Sequence, residues 1–249
     1  MASQALPVRG ARLGRAFGTG PASGARAVVL VLPEGRPAGD RAGASRAANA
    51  AARRLSRALQ HAGQEAGLVT HVVHYGNRGW NGHHAHPARD AEWAADEALR
   101  RYGDVPLCLV GIGIGGRAAL WAGGHDAVAS VIALAPWLPI GREPDPVRHL
   151  IDRHVLIAHG TADAVHDPDL SFRFAERAKK INPDVCRFEV HADGHNLRHH
   201  GSEVRALTAH FALATLLPPH RFSRPVTDAL AAPPPLGLRM PLASGYGKG

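Results

Sequence analysis

Residues 109–120, LVGIGIGGRAAL, hold the densest set of chemistry-bearing positions in the chain. An apolar strand runs out at Val110, a helix opens near Gly115, and Gly111, Gly113, Gly115 and Gly116 lie around the turn between them. Two chemistries use such a turn. In G-x-G-x-x-G, matched by Gly111, Gly113 and Gly116, the glycines let a pyrophosphate approach a helix N-terminus. That use calls for an acidic residue about 20 residues further on, where this chain has Leu134, Ala135, Pro136 and Trp137. In G-x-S-x-G, whose flanks match Gly111 and Gly115, a nucleophilic side chain stands on a sharp, strained turn. Here the centre is Gly113, which adopts a positive φ at almost no cost, so the turn survives while the nucleophilic oxygen is gone.

Two later segments fit the second use. Residues 155–165, VLIAHGTADAV, run from an apolar strand into a loop carrying Asp163, and residues 188–195, FEVHADGH, run from a strand into His195. Turn, acid, then histidine is the chain order of a nucleophile–acid–base triad built on a parallel sheet. Taken singly, Asp163 reads as a turn residue and His195 as a surface histidine; taken in order they read as a triad remnant around Gly113. No other residue replaces the nucleophile on sequence grounds. Cys108 and Ser130 fall inside strands, and Thr161 sits on the acid's loop without a base in known reach. The chain has 17 histidines. His83, His84 and His86, and His191, His195, His199 and His200, are clustered, but neither group keeps a metal-ligand register with carboxylates, so both read as solvated loop residues. The expectation is no metal and no cofactor.

The elements that must position these residues alternate. Strands are predicted at 27–32, 68–75, 106–110, 128–134, 154–158 and 185–190 from short apolar, β-branched runs. Helical spacing appears at 44–62, at about 89–101, from 117, around Leu170, Phe174, Ala178 and Ile181, and around Val204, Leu207, Phe211 and Ala214. Strand–helix alternation predicts an α/β domain, a mostly parallel sheet with helices on both faces and functional loops at the strands' carboxyl ends. About 18 residues connect the strand at 128–134 to the next, too few for a lid domain.

With Gly111-x-Gly113-x-Gly115, the HGTAD containing Asp163, the DGH ending at His195, GWNG at 79–82 and ALAPWLP at 133–139, the chain resembles the small single-domain α/β-hydrolases of the esterase and dienelactone-hydrolase type over roughly residues 5–217. The resemblance implies their fold, Asp163 as triad acid and His195 as triad base. It also implies an oxyanion region at Glu34, Gly35 and Ile114, the loop after the first buried strand and the residue after the elbow. Two positions depart from that pattern. The nucleophile is Gly113, and the usual His-Gly-Gly loop reads Pro33-Glu34-Gly35, where Pro33 offers no N–H and Glu34 brings negative charge towards a site built for an oxyanion. If the elbow and His195 survive, a serine placed at 113 is expected to restore a nucleophile.

Composition bounds the rest. The 249 residues suit one domain, with 45% hydrophobic residues. No 18-residue apolar run exists, so no membrane partner is expected, and residues 1–24 lack a signal-peptide core, which makes the cytoplasm the default location. The net charge of +8 comes mostly from scattered arginines, so no specific nucleic-acid partner is expected. Cys108 and Cys186 read as buried thiols. Residues 218–249, rich in Pro and Gly without periodicity, read as a tail lacking fixed structure and dispensable for folding. Three functions stand: a hydrolase-fold protein without serine chemistry that binds a small-molecule ligand or ester-like substrate in the old site; a hydrolase in which His195, oriented by Asp163, activates water; and a nucleotide binder using the glycine turn.

Overall fold

The computed structural model describes residues 10–18, 24–141 and 144–248. β2 (Ala27–Leu32), β3 (Leu68–His74), β4 (Leu107–Ile112), β5 (Val128–Leu134), β6 (His154–Gly160) and β7 (Val185–Val190) form the parallel body of an eight-stranded sheet. Its strand order is β1-β3-β2-β4-β5-β6-β7-β8, with the short β1 (Arg12–Leu13) antiparallel at one edge and β8 (Met240–Pro241) parallel at the other. β2 shows why the strands read as unbroken apolar runs. All six of its residues are buried, because helices cover both faces.

Alternate residues serve alternate faces. Val28, Leu30 and Leu32 enter a core shared with α2 (His86–Tyr102), α3 (Ile114–Ala122) and α4 (Pro168–Lys179). Ala27, Val29 and Val31 enter the opposite core with α1 (Arg46–Gly63) and α5 (Gly201–Leu216). The connection from β5 to β6 carries one 3-10 turn, Arg148–Leu150, among the described residues and no lid domain. Among the described residues no helix is long and apolar enough to cross a membrane. Both cysteines are buried and free.

The expectation of an unstructured tail from 218 is corrected. α6 (Arg224–Ala231) packs Val226 and Ala229 into the α1/α5 core, and β8 adds a strand to β7 with Leu242 buried behind it. Polar ties fix the same segment. Lys179 Nζ donates to the Leu230 carbonyl (2.7 Å), and the buried Arg187 Nη1 donates to the Leu238 carbonyl (2.9 Å). Prolines hid these elements from a periodicity reading. α6 is only eight residues long with a proline in its first turn, and β8 tolerates Pro241 because it is an edge strand. The tail covers what would otherwise be the open edge of β7. A chain ending at Leu217 is therefore expected to lose about 10 °C or more of melting temperature in a calorimetric scan, since several buried side chains and a sheet edge are lost together; a change of only a few degrees would show that the segment merely rests on the surface.

Candidate functional site

β4 ends at Ile112, Gly113 turns the chain, and α3 begins at once with Ile114. Gly113 has φ 55° and ψ −114°, a region that side-chain-bearing residues enter only with strain. The flanking glycines answer a different need: a Cβ on Gly111 would lie 1.9 Å from the Gly115 carbonyl oxygen, and one on Gly115 would lie 2.3 Å from that of Leu32. Strand and helix thus meet closely enough to exclude any side chain. The turn is tied on three sides. Gly113 N–H donates to the Leu134 carbonyl (2.9 Å), and the Gly113 carbonyl accepts from the N–H groups of Arg117 and Trp137, both at 3.1 Å. Arg117 reinforces this from beneath. Its buried guanidinium makes two 2.7 Å bonds to Asp145 and lies over Trp80 (3.9 Å) and Trp137 (4.8 Å), clamping the GWNG and APWLP loops to the base of the elbow.

Glu34 lies directly against the turn at Gly113. Its Oε1 accepts from the N–H of Ile114 (2.9 Å) and from the N–H of Gly35 (3.0 Å). A Cβ built on Gly113 would come within 1.6 Å of its Oε2. The loop that presents Glu34 is fixed by Tyr75, whose hydroxyl donates to the Pro33 carbonyl (2.8 Å), and by a backbone bond from Arg36 N–H to the Arg78 carbonyl (2.9 Å). Pro33 has no N–H, but the N–H groups of Gly35 and Ile114 converge on one spot, and the Glu34 carboxylate fills it. A carboxylate is well suited to it, since the free amides of α3's first turn carry partial positive charge.

Asp163 and His195 meet beside this group, His195 Nδ1 lying 3.1 Å from Asp163 Oδ2. The carboxylate can only accept, so Nδ1 carries the proton and Nε2 faces the elbow. There it lies 3.4 Å from Glu34 Oε2. Asp163 has no solvent-exposed side-chain area. Burial alone would raise its pKa, but hydrogen bonds from His159, from the N–H groups of His166 and Val165 and from His195 outweigh burial and hold it well below the usual carboxylate range. The pairing of His195 with Glu34 raises the histidine's pKa; burial opposes that shift and Asp163 adds to it.

Two residues that the sequence reading did not single out complete the cluster. His159, wholly buried at the end of β6, bridges Ser171 Oγ (2.9 Å) to Asp163 (3.2 Å). Its position at the end of the apolar VLIA run was the available signal. His166 packs edge-on against the His195 ring (centroids 4.3 Å apart, 77° between planes), with Nδ1 bonded to the Ala135 carbonyl at 2.9 Å. Nothing in its TADAVHDPD context separates it from an ordinary loop histidine. A cleft of about 340 Å³ opens above the cluster, walled by Arg36, Arg78, Trp137 and Val165.

The four thiol and hydroxyl groups weighed in the sequence lie within strands or are held by neighbouring polar groups. Burial pushes both Cys108 and Cys186 up to about 12. Ser130 is buried against Thr215 Oγ1 (2.8 Å), and Thr161 Oγ1 accepts from Ala192 N–H.

No protein-family model matches the chain, and no curated protein matches it by sequence. Solved structures do match. A lidless α/β serine hydrolase from Xanthomonas campestris aligns at 18% identity with a TM-score of 0.57, covering 78% of this chain and 84% of that one. An esterase from Pyrococcus furiosus aligns at 13% identity and 0.60, covering 78% and 84%. A thermophilic esterase from the Planctomycetes species Thermogutta terrifontis, solved with propionate bound, aligns at 17% identity and 0.60, covering 86% and 98%. At these identities the likeness is one of architecture, and it agrees with the mostly parallel eight-stranded sheet flanked by helices: the chain has the α/β-hydrolase fold, without a lid.

Proposed function

We propose that this protein does not perform serine-hydrolase chemistry and uses the site above Gly113 to hold a small-molecule ligand. One observation carries the reading: the Glu34 carboxylate lies where a nucleophile's side chain would stand and takes both amides that would stabilise an acyl-transfer oxyanion. An attacking group is absent and the anion site is taken, so acyl transfer lacks both of its main supports. Arg36 and Arg78 in the cleft wall favour a ligand with negative charge, such as a carboxylate or phosphate ester.

The same facts weigh against the two other readings. A histidine acting as a water-activating base must form a hydroxide beside its Nε2. His195 Nε2 faces the Glu34 carboxylate at 3.4 Å, whose negative charge disfavours a hydroxide there. A pyrophosphate at the start of α3 would have to displace Glu34 from the Ile114 amide.

The unmodified protein is expected to resist labelling by a fluorophosphonate and to hydrolyse p-nitrophenyl acetate no faster than a histidine-dependent background. Loss of a serine nucleophile costs about a million-fold in kcat. Robust labelling would overturn the proposal. The site also revises what a serine at 113 can do. Gly113→Ser alone is expected to remain unlabelled and to melt several degrees lower, because its side chain must displace Glu34 and adopt a strained backbone. Combining it with Glu34→Gly frees both the amides and the space, and this double variant is expected to label. Equal labelling of the single and double variants would show that Glu34 does not hold the nucleophile's place.

A further inference from the structure

We propose that Glu34, His166 and His195 form a binding site for one divalent transition-metal ion of zinc-like preference, its open coordination position facing the cleft walled by Arg36 and Arg78. This goes beyond the loss of serine chemistry and stands or falls separately from it. One donor atom from each of the three residues lies within 4.8 Å of the other two. A carboxylate oxygen with two imidazole nitrogens is a donor set that zinc takes in three-ligand sites, where the fourth position is left for water or substrate. The best-defined edge has the right length. Glu34 Oε2 and His195 Nε2 are 3.4 Å apart, and two ligands of a tetrahedral ion with bonds near 2.1 Å are separated by roughly 3.4 Å. At its widest the triangle has to contract by at most roughly 1.4 Å to match, within reach of a small rotation of the His166 ring.

Each ligand is already held by its other polar atom. His195 Nδ1 is bonded to Asp163, His166 Nδ1 to the Ala135 carbonyl, and Glu34 Oε1 to two backbone amides. This is the outer-shell pattern that fixes tautomer and aim in metal sites. It leaves one donor on each residue: Nε2, Nε2 and Oε2. The Glu34 Oε2 atom is buried and has no hydrogen-bond partner, an uncommon state for a carboxylate oxygen and one that calls for a missing partner. An ion pair of Glu34 with a protonated His195 is the competing account. It leaves Oε2 at 3.4 Å, beyond a sound hydrogen bond, and gives His166 no part. No spacing motif announces the site, because its ligands come from the loops after β2, β6 and β7. The sheet assembles them, not the sequence.

The test uses the full chain after treatment with a chelator. Titration with zinc chloride in a calorimeter is expected to show one equivalent bound with micromolar or tighter affinity, and cobalt(II) in its place is expected to give the intense visible absorption of a tetrahedral site. Glu34→Gln, His166→Ala and His195→Ala are each expected to weaken binding by about tenfold or more. A His83→Ala/His84→Ala variant, which removes exposed, neighbouring histidines elsewhere, is expected to bind as the unmodified protein does. Circular dichroism checks that each variant is folded; should Glu34→Gln fail to fold, His166→Ala decides, since its ring lies at the cleft wall. Absence of one-equivalent binding by the unmodified chain would overturn the proposal, as would affinities unaffected by the three ligand variants or lost with His83 and His84. Fluorophosphonate labelling of the same metal-free sample separates the two claims: an unlabelled protein that binds no metal refutes only the metal site, whereas a labelled one refutes the loss of serine chemistry.

Discussion

Two backbone N–H groups at the head of the sheet, those of Gly35 and Ile114, point at one spot and require an acceptor there. Backbone donors turned into a pocket lose a few kcal/mol if left unpaired, and those at a helix start favour an anion. In this protein the acceptor is the Glu34 carboxylate, supplied by the residue next to one of the donors. Much of the site follows from that pairing. Glu34 can reach the amides only because position 113 has no side chain, and glycine at 113 leaves a space that Glu34 fills. The two residues are therefore one structural feature, and neither can be changed alone without cost to the other.

The pairing also sets the electrostatics around it. With one oxygen on the amides, the second faces His195, which is held from behind by Asp163. The histidine thus stands between two carboxylates, a setting that stabilises positive charge at that point, whether carried by a proton or by an ion. Asp163 is buried more deeply than either neighbour and is stabilised by backbone amides and His159. It orients His195 and organises the loop at the end of β6.

The parts of this arrangement legible in the sequence are those that depend on chain order. Gly113, Asp163 and His195 follow β4, β6 and β7 in chain order, and a parallel sheet brings the ends of its strands to one edge, so their convergence could be read from pattern alone. Pro33-Glu34-Gly35 was legible as a departure, but its effect was not. Charge at that position suggests repulsion of an oxyanion, and only the fold shows the side chain curling back onto the neighbouring amides. His166 was illegible because its role depends on a ring orientation set by the Ala135 carbonyl from another loop. The last 32 residues misled for a simpler reason. Proline-rich sequence weakens local periodicity, yet the open edge of β7 and the gap beside α5 supply tertiary contacts that order it.

The central claim is that the Glu34 carboxylate fills the amide pair above Gly113. A crystal structure of the unmodified protein at near-atomic resolution and neutral pH tests this most directly. The account predicts Glu34 Oε1 within hydrogen-bond distance of both the Gly35 and Ile114 nitrogens, with Oε2 over the Gly113 Cα and towards His195. A Glu34 side chain turned out to solvent, with water or a buffer anion on the two amides, would contradict it.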